Sequence, residues 1–410
     1  MKLFPHQKRV LKDTADDNRV AYYLDMGLGK TFVGSRKLAD LDQPYNLVIC
    51  QKSKIADWMD HFKEFYDYEV IHYQKQPISS IPKHSILIVN YETAWRRPAL
   101  LRLHDFTLML DESSKIKNER SSQSKFILKL KPTNVILLSG TPTSGKYEEL
   151  WSQLHLLGWK ISKKSFLNHY TVQEWDETMG HFDIIGYQNV DRLKRKLRQH
   201  GAVFMKTNEV FDLPKQNSVY VKCDNTNDYQ RFATDHYAVK DGKEIVGDTA
   251  ASAKMYLRQF AGVWNPNKIQ QVEDLISSTN DRLIIFYNFK SEYEMLRKLC
   301  EKLKRPVATM NGSLKDMTAY EDKSNSVSLI QYQSGAMGLN LQKANKVIYF
   351  TLTDKSELFE QSKKRIHRIG QDRPCFYYYL LTKGTIEWRM LQVLKERRDF
   401  TDKLFEEEEM

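Results

Sequence analysis

The sequence predicts an α/β protein with two parallel-sheet lobes, each alternating short buried strands with helices. Short apolar runs followed by helical patterns recur in the first third and again in the last third of the 410 residues, which is typical of parallel sheets covered by helices. Polar and small residues follow the strands of the first third, at the strand ends where such sheets carry ligand sites. Hydrophobic residues make up 41% of the chain, which is enough for two ordinary cores.

The strands are predicted from apolar runs that end in polar residues or turns. In the first lobe they are Val20–Leu24, Asn46–Cys50, Ile86–Asn90, Thr107–Asp111 and Val135–Ser139. In the second lobe they are Leu283–Tyr287, Val307–Met310, Val327–Tyr332, Lys346–Thr351 and Phe376–Leu381. Helical periodicity follows these runs, so right-handed strand–helix–strand crossovers are expected.

The domain boundaries are predicted where this alternation stops. We expect an N-terminal lobe at 1–157, helical insertions and a linker at 158–265, a C-terminal lobe at 266–384, and a C-terminal helix with an acidic tail at 385–410. Within the insertions, the run from Arg192 to Arg198 predicts a helix with a basic face.

Charge and composition exclude several classes of protein. The 63 Lys and Arg residues exceed the 52 Asp and Glu residues, giving a net charge of +11, which favours contact with nucleic-acid phosphates; a solvated basic surface is the alternative. No apolar run approaches the roughly 20 residues of a membrane span. The cysteines are dispersed and the histidines lack metal-ligand spacing. We therefore expect a cytoplasmic, intracellular protein with reduced thiols, no zinc site and no membrane contact.

A glycine-rich turn follows the first predicted strand and reads Asp25-Met26-Gly27-Leu28-Gly29-Lys30-Thr31. Gly27 and Gly29 let the backbone turn tightly and direct N–H groups at phosphate oxygens. Lys30 would contact the β and γ phosphates of ATP, and the Thr31 hydroxyl would join the ligand shell of Mg²⁺. The usual first glycine of this pattern would fall at Leu24, and a chance turn is the alternative interpretation.

A pair of carboxylates, Asp111-Glu112, directly follows another buried strand. Carboxylates at such a position are unfavourable unless a cation or a reaction requires them. Asp111 would hold the Mg²⁺ ion, and Glu112 would orient and deprotonate the attacking water. The competing interpretation is an acidic helix cap, since Ser113, Ser114 and Lys115 follow.

Two further segments of the first lobe have polar groups suited to a nucleotide. The turn Ser139-Gly140-Thr141-Pro142-Thr143 follows a predicted strand, and its hydroxyls would relay the presence of the γ-phosphate; an ordinary turn is the alternative. Gln7 would pair with an adenine edge, whereas an ordinary N-terminal polar residue is the default.

The last third contributes cations and small residues. Arg365 and Arg368 lie three positions apart in a segment predicted to be helical, so both would share one helical face and stabilise the charge that develops on the departing phosphoryl group. A solvated basic face is the alternative. The glycines at 335 and 338 would let the backbone approach a phosphate, although an ordinary strand exit also explains them. These features predict a nucleotide site divided between the two ends of the sequence.

These motifs resemble, in order and over almost the whole chain, those of Swi/Snf-type translocases of helicase superfamily two. The segments that carry the resemblance are Leu3–Gln7, Asp25–Thr31, Val48–Trp58, Ile88–Thr93, Asp111–Asn118, Leu138–Thr143, Glu149–Trp151, Ile284–Phe289, Met310–Ser313, Ser334–Leu341 and Gln361–Gln371. The string His-Arg-Ile-Gly-Gln at 367–371 is the most specific of them. The chain departs from the family pattern at Gln51, where proline is usual, and at Ser114, where histidine is usual.

The resemblance implies two RecA-like lobes and ATP hydrolysis that double-stranded DNA stimulates, in a minimal motor of viral or bacterial type. It implies that Gln7, Gly338 and Gln371 belong to the nucleotide-binding residues, with Arg365 and Arg368 as catalytic cations. For the DNA contacts we predict Lys52, Ser53, Asn90, Tyr91, Lys115, Lys117, Asn311, Gln333 and Gly335. We expect a monomer. A strand-separating DNA or RNA helicase and a nucleotide-gated DNA-binding module with little turnover remain the alternatives.

Overall fold

The computed structural model describes residues 2–178, 180–240, 242–335 and 339–405, without the side chains of Phe400 and Leu404. The chain divides into two compact units, one comprising Met1–Phe211 with Asp399–Met410 and the other Asp212–Arg398. Each unit is built on its own seven-stranded sheet.

The first unit alternates strands and helices along the chain. Its strands are β1 (Arg19–Leu24), β2 (Tyr45–Cys50), β3 (Glu69–His72), β4 (Ser85–Asn90), β5 (Phe106–Asp111), β6 (Asn134–Ser139), β7 (Thr171–Asp176), β8 (His181–Tyr187) and β9 (Ala202–Met205). Its helices are α1 (Pro5–Asp13), α2 (Lys30–Asp40), α3 (Ile55–Phe65), α4 (Tyr91–Ala94), α5 (Ser122–Ile127), α6 (Trp151–Leu156), α7 (Lys163–Tyr170) and α8 (Val190–Gln199).

The sheet of the first unit is parallel throughout, in the order β3-β4-β2-β5-β6-β1-β9. Its central strands are buried along nearly their whole length, because apolar side chains cover both faces. The neighbouring strands β5, β6 and β1 run in the same direction, so the residues that follow them emerge at one edge of the sheet. β7 and β8 form a separate antiparallel hairpin.

The second unit follows the same principle. Its strands are β10 (Gln216–Cys223), β11 (Tyr237–Lys240), β12 (Lys243–Val246), β13 (Leu283–Tyr287), β14 (Val307–Met310), β15 (Lys315–Asp316), β16 (Val327–Gln331), β17 (Lys346–Tyr349) and β18 (Cys375–Thr382). Its helices are α9 (Asn227–Asp235), α10 (Ala250–Ala261), α11 (Pro266–Ser277), α12 (Lys290–Lys302), α13 (Thr318–Asp322), α14 (Tyr332–Gly335), α15 (Ser356–Lys363) and α16 (Ile386–Phe405), the last of which extends beyond Arg398.

The second sheet has the order β10-β18-β17-β13-β16-β14-β15. All pairings are parallel except that of the short edge strand β15 with β14. The two sheets confirm the predicted fold class, and every predicted strand has a counterpart within two residues at each end. The long C-terminal helix and the basic helix around Arg192–Arg198 are also present, as α16 and α8.

Residues 158–265 contain more than helices. They include the hairpins β7–β8 and β11–β12, and they supply an edge strand to each sheet, β9 to the first and β10 to the second. The division of the chain falls between these edge strands, at Phe211 and Asp212.

The four cysteines are buried and free. Burial raises the pKa of every one of these thiols, that of Cys223 and Cys375 to about 11 and that of Cys300 to about 12. Among the helices of the described ranges, none combines the length and the apolar character needed to cross a bilayer.

Candidate functional site

The glycine-rich turn after β1 forms a tight loop that leads into α2. Gly27 and Gly29 both adopt left-handed backbone conformations, with φ of 90° and 77°, which side chains with a Cβ disfavour. Gly29 caps α2, so that Lys30 and Thr31 occupy its first turn, where unpaired N–H groups and the helix dipole favour a phosphate. The Lys30 ammonium donates to the carbonyl of Leu24 at 2.9 Å. The predicted phosphate loop therefore has the backbone geometry that its role needs.

Gln7 packs directly on this loop. Its Nε2 donates to the carbonyl of Leu28 at 3.1 Å, and its Oε1 accepts from the Phe4 amide at 2.9 Å. A Cβ on Gly29 would lie 2.1 Å from that Nε2 atom, so a larger residue would displace the Gln7 amide, and the φ of 77° by itself favours glycine. Gln7 is 2% exposed, and the structure thus places it behind the loop.

Beside α1 lies a cavity of about 430 Å³, lined by Phe4, Pro5, His6, Arg9, Glu209, Val210 and Phe211. Phe4 and His6 are stacked, and Phe211 contacts both rings edge-on. Aromatic walls with a few polar groups suit a flat heterocycle such as a nucleobase. Gln7 does not line this cavity, and sequence reasoning did not identify the aromatic residues that do.

The carboxylate pair lies at the end of β5. In the sheet, β6 lies between β5 and β1, the strand that leads into the phosphate loop. Asp111 Oδ2 accepts a hydrogen bond from the Trp58 indole at 2.9 Å, and the Tyr91 hydroxyl donates to the Asp111 carbonyl at 2.9 Å. Burial raises the pKa of Asp111, while the Trp58 hydrogen bond and the charge of Lys30 oppose that rise. The carboxyl is thus held in place by neutral groups and lies within electrostatic reach of the loop lysine.

Glu112 has a strained backbone. Its φ is 55°, a left-handed conformation that costs a residue with a side chain roughly 1–3 kcal/mol. Ser139 Oγ donates to Glu112 Oε2 at 3.4 Å, linking the carboxylate to the turn after β6. Strain of this kind is commonly retained where a side chain must be aimed at a reacting group.

The residues around the loop fit a magnesium–nucleotide complex. A Cβ on Gly140 would lie 3.2 Å from the Lys30 ammonium, and the buried Thr141 hydroxyl has no hydrogen-bond partner, so a phosphate oxygen would satisfy it. Asp111 and Thr31 offer the hard oxygen ligands that Mg²⁺ prefers. No cluster of His, Cys, Asp or Glu among the described residues would hold a metal by itself, so the ion would share its ligands with phosphates.

The predicted DNA-contacting residues of the first unit differ in exposure. Lys52, Ser53 and Lys115 are exposed, and Lys117 donates to Ser144 Oγ at 3.0 Å. Asn90 is buried and bound to Glu92, and Tyr91 is 1% exposed. Tyr91 is thus enclosed and bonded to the Asp111 backbone, and its contact with DNA stays a prediction.

In the second unit, Gln333 is exposed and Asn311 is partly exposed. Asn311 Oδ1 accepts from the amides of Ser313 and Leu314, which shapes its turn. Gly335 is buried, and a Cβ there would lie 2.9 Å from Ile330 Cγ2, so packing alone accounts for this glycine. Gly338 lies outside the described residues.

The prediction that Arg365 and Arg368 share a helical face is wrong. α15 ends at Lys363. At this end of the helix the Tyr377 hydroxyl donates a hydrogen bond to the Lys363 carbonyl at 3.0 Å. Both arginines lie in the turn that follows. Arg365 is 2% exposed, whereas the Arg368 guanidinium is partly exposed and donates to Asn340 Oδ1.

Gln371 anchors this arginine-containing turn. Its Nε2 donates to the carbonyls of Ala344 at 2.8 Å and Gln342 at 3.1 Å, and its Oε1 accepts from the Arg373 amide at 3.1 Å. The side chain is 5% exposed. It therefore fixes the backbone of the motif, which supports the conformation of the arginines.

Sequence reasoning missed several residues that build the site. Trp58 was noted only as the end of a motif, and Gln153 was not singled out, because their partners are far away in sequence. Gln153 is fully buried and bonds to Tyr23 on β1, to Ser113 after β5 and to Pro142 after β6. A fully buried amide in a short helix beside the Glu-Leu-Trp motif had no distinguishing signal in the sequence alone.

Comparisons with known proteins agree with the order of these motifs. A model of the SNF2-related domain matches residues 23–270, and a model of the helicase conserved C-terminal domain matches residues 267–370. A Mycoplasma genitalium protein named an uncharacterized ATP-dependent helicase is 24% identical over 96% of this chain and 41% of its own length. A Bacillus subtilis protein named a putative ATP-dependent helicase/translocase is 25% identical over 94% of this chain and 46% of its own length.

The chain thus spans about half the length of these curated relatives. A solved structure, the Sulfolobus solfataricus SWI2/SNF2 ATPase core in complex with dsDNA, is 21% identical with a TM-score of 0.47, covering 98% of this chain and 92% of that one. Since the SNF2-related model alone covers more than half of the residues, the chain belongs to the SNF2-related family.

Proposed function

We propose that this chain is an ATP-driven translocase on double-stranded DNA, with ATP hydrolysis that DNA stimulates. The observation that carries the proposal is the convergence of the phosphate loop, the carboxylate pair and the Ser-Gly-Thr-Pro turn at one edge of the first sheet, where β1, β5 and β6 end. Membership of the SNF2-related family and the names of the bacterial relatives support it. We further propose that the protein acts inside the cell as a monomer.

Each residue has a proposed part in hydrolysis. Bound Mg²⁺ would neutralise charge on the phosphates, and Thr31 and Asp111 would hold it. Glu112 would accept a proton from the attacking water as its oxygen bonds to the γ-phosphorus and the bond to the β–γ bridging oxygen breaks. Lys30 would stabilise the phosphate charge, and Arg365 and Arg368 are proposed to add cations as that charge grows.

The test is ATP turnover measured without nucleic acid and with linear duplex DNA of increasing length, single-stranded DNA or RNA. A translocase predicts stimulation by duplex DNA that increases with length. Preference for single strands or RNA would favour a strand-separating helicase instead. Tight DNA binding that ignores ADP, with negligible turnover, would favour a nucleotide-gated binding module.

Substitutions at the site give a second test. Lys30→Ala and Glu112→Gln should abolish turnover and leave DNA binding largely intact, because neither side chain is proposed to contact DNA. Lys63→Ala and Glu64→Gln, at exposed positions on α3, are the matched controls and should leave turnover unchanged. Arg368→Ala should lower turnover while weakening ATP binding less than Lys30→Ala does. Normal hydrolysis by the Arg368 variant would remove that residue from the proposal.

A further inference from the structure

Gln153 on α6 is a fully buried amide whose hydrogen bonds reach three separate segments of the first unit. Its Oε1 accepts from the Ser113 hydroxyl at 2.7 Å and from the Tyr23 hydroxyl at 3.0 Å. Its Nε2 donates to the carbonyl of Pro142 at 2.8 Å. Because a proline carbonyl can only accept, the Nε2 atom must face Pro142, and this fixes Oε1 toward the two hydroxyls.

The three partners belong to the elements that carry the candidate chemistry. Tyr23 lies on β1, which leads into the phosphate loop, and Ser113 directly follows Glu112. Pro142 belongs to the turn after β6, whose Ser139 hydroxyl contacts the Glu112 carboxylate. The strands β5, β6 and β1 are adjacent in the sheet, so one amide connects the ends of three neighbouring strands.

Burial makes this connection stiff. Gln153, Tyr23 and Ser113 are each 0% exposed, so no water competes for their hydrogen bonds and a broken bond would leave a buried polar atom unpaired. The amide therefore joins the Pro142 carbonyl to the Ser113 hydroxyl through two buried hydrogen bonds. Ser113 in turn adjoins the strained backbone of Glu112, whose φ is 55°.

We propose that Gln153 is a positioning residue that couples the Ser-Gly-Thr-Pro turn to the orientation of Glu112. The proposal rests on the proposed function, in which Glu112 accepts the proton from water. In this proposal a ligand-dependent movement of the Ser-Gly-Thr-Pro turn moves the Gln153 amide, and the amide moves the backbone that follows Glu112. Gln153 touches neither nucleotide nor nucleic acid in this scheme.

The first variant, Gln153→Leu, removes all three hydrogen bonds at similar side-chain volume. We expect kcat for ATP to fall about 10- to 100-fold, as for a misplaced catalytic group, while KM for ATP stays within about twofold because the phosphate loop is intact. Ser152→Ala is the matched control. Ser152 is the preceding residue on α6, equally buried, and its hydroxyl has no hydrogen-bond partner, so its loss should leave both constants unchanged.

A second variant separates positioning from stability. Gln153→Leu leaves the Tyr23 and Ser113 hydroxyls unpaired and should lower the unfolding temperature, whereas Gln153→Leu combined with Tyr23→Phe and Ser113→Ala removes those stranded donors and should recover most of that loss. Positioning predicts that kcat stays low in the triple variant. If kcat returns with stability, Gln153 is only a structural residue and the proposal fails.

Amide hydrogen exchange of the nucleotide-free protein completes the test. In the triple variant the amides of residues 112–117 and of Gly140, Thr141, Thr143 and Ser144 should exchange faster than in the wild type, and those of β2 and β4 should not change. If both segments exchange at the same rate in the triple variant as in the wild type, the proposed coupling fails even if kcat is low. If the wild type itself shows no ATP turnover, the proposed function fails, while the exchange comparison still decides whether Gln153 links the turn to the carboxylate segment.

Discussion

At the scale of single residues, the candidate site combines features that do not favour folding. Asp111 is a carboxyl whose pKa burial raises, and Glu112 adopts a left-handed backbone conformation. The Thr141 hydroxyl is buried without a partner. Such features coincide where a ligand or a reaction requires them, and here they lie on two consecutive residues and a turn that contacts them.

Asp111→Asn should stabilise the nucleotide-free protein. The folded pKa of Asp111 lies above the unfolded value of about 3.9, so its contribution to stability is present below that value and is lost as the pH rises through the folded pKa. We expect the variant to be more stable than the wild type near neutral pH, with a gain that grows as the pH rises, and to lose turnover because Asp111 is the proposed metal ligand. Thermal unfolding between pH 5 and pH 8 measures this.

The control for this prediction is Asp60→Asn, at an exposed position on α3, which should show no such pH dependence. A destabilised Asp111 variant, or a gain that does not grow with pH, would show that the carboxyl is favourably paired in the folded protein.

Candidate site residues could be predicted where a short motif by itself indicates a chemical role. Gly27, Gly29 and Lys30 were predicted from local sequence, and the positive φ of both glycines agrees with the predicted loop conformation. Trp58 and Tyr91 bond to Asp111, and Gln153 bonds to Ser113 and Pro142. No local pattern reveals such pairings. Tyr91 was predicted to contact DNA, and its burial and its hydrogen bond to the Asp111 carbonyl were not predicted.

At the scale of elements, the central strands were predictable and the edge strands were not. A strand such as β6 is continuous apolar sequence because both of its faces are covered. β10 instead alternates exposed and partly buried residues, as edge strands with one covered face do, within a stretch that otherwise favours helix. β9 is short and pairs with β1, and Ala21 is the register partner of Ala202. Local sequence patterns cannot predict a pairing between residues so far apart in the sequence.

The end of α15 illustrates the same limit. The spacing of Arg365 and Arg368 is compatible with a helix, but the Arg365 carbonyl accepts from the Leu341 amide, and the Lys363 carbonyl is shared between the Tyr377 hydroxyl at 3.0 Å and the His367 amide at 3.4 Å. The helix ends here because the Arg365 carbonyl has a long-range partner instead of a helical one. The helical backbone predicted for this segment was therefore wrong, and the role of its arginines stays a prediction.

The hairpin β7–β8 offers a prediction at this scale. Glu174 and Asp183 lie directly opposite each other, and like charges in that arrangement destabilise a strand pair by about 0.2–1 kcal/mol. Glu174→Lys should therefore raise the free energy of local opening by a similar amount, measured as slower amide exchange at Trp175 and Phe182.

Glu177→Lys, in the turn of the same hairpin, makes the same change in charge without a directly opposed carboxylate. It should have a clearly smaller effect. Equal protection in the two variants would mean that net charge, and not the cross-strand pair, governs the stability of the hairpin.

At the scale of the whole molecule, the net charge of +11 predicts steep salt dependence of DNA binding. A protein that neutralises about 6–10 phosphates loses roughly 10³–10⁵ in affinity between 50 and 200 mM salt. We expect a fall of that order for a linear duplex, measured by fluorescence anisotropy. A flat response would argue against phosphate-dominated binding.

Lys115→Ala tests whether a predicted contact contributes to this slope, which should decrease by about one. Lys298→Ala, at an exposed position on α12 outside the predicted set, removes the same charge and should leave the slope unchanged. Equal changes in both variants would indicate that the net charge acts without a defined contact surface.

The burial of all four cysteines has a practical consequence for labelling this protein with fluorophores. Thiols that are enclosed and hard to ionise react slowly with maleimides, so the native residues need not be replaced before a fluorophore is attached. A single new cysteine at an exposed position in each unit, such as Lys63 and Lys298, would allow donor and acceptor dyes to report the distance between the units during ATP turnover.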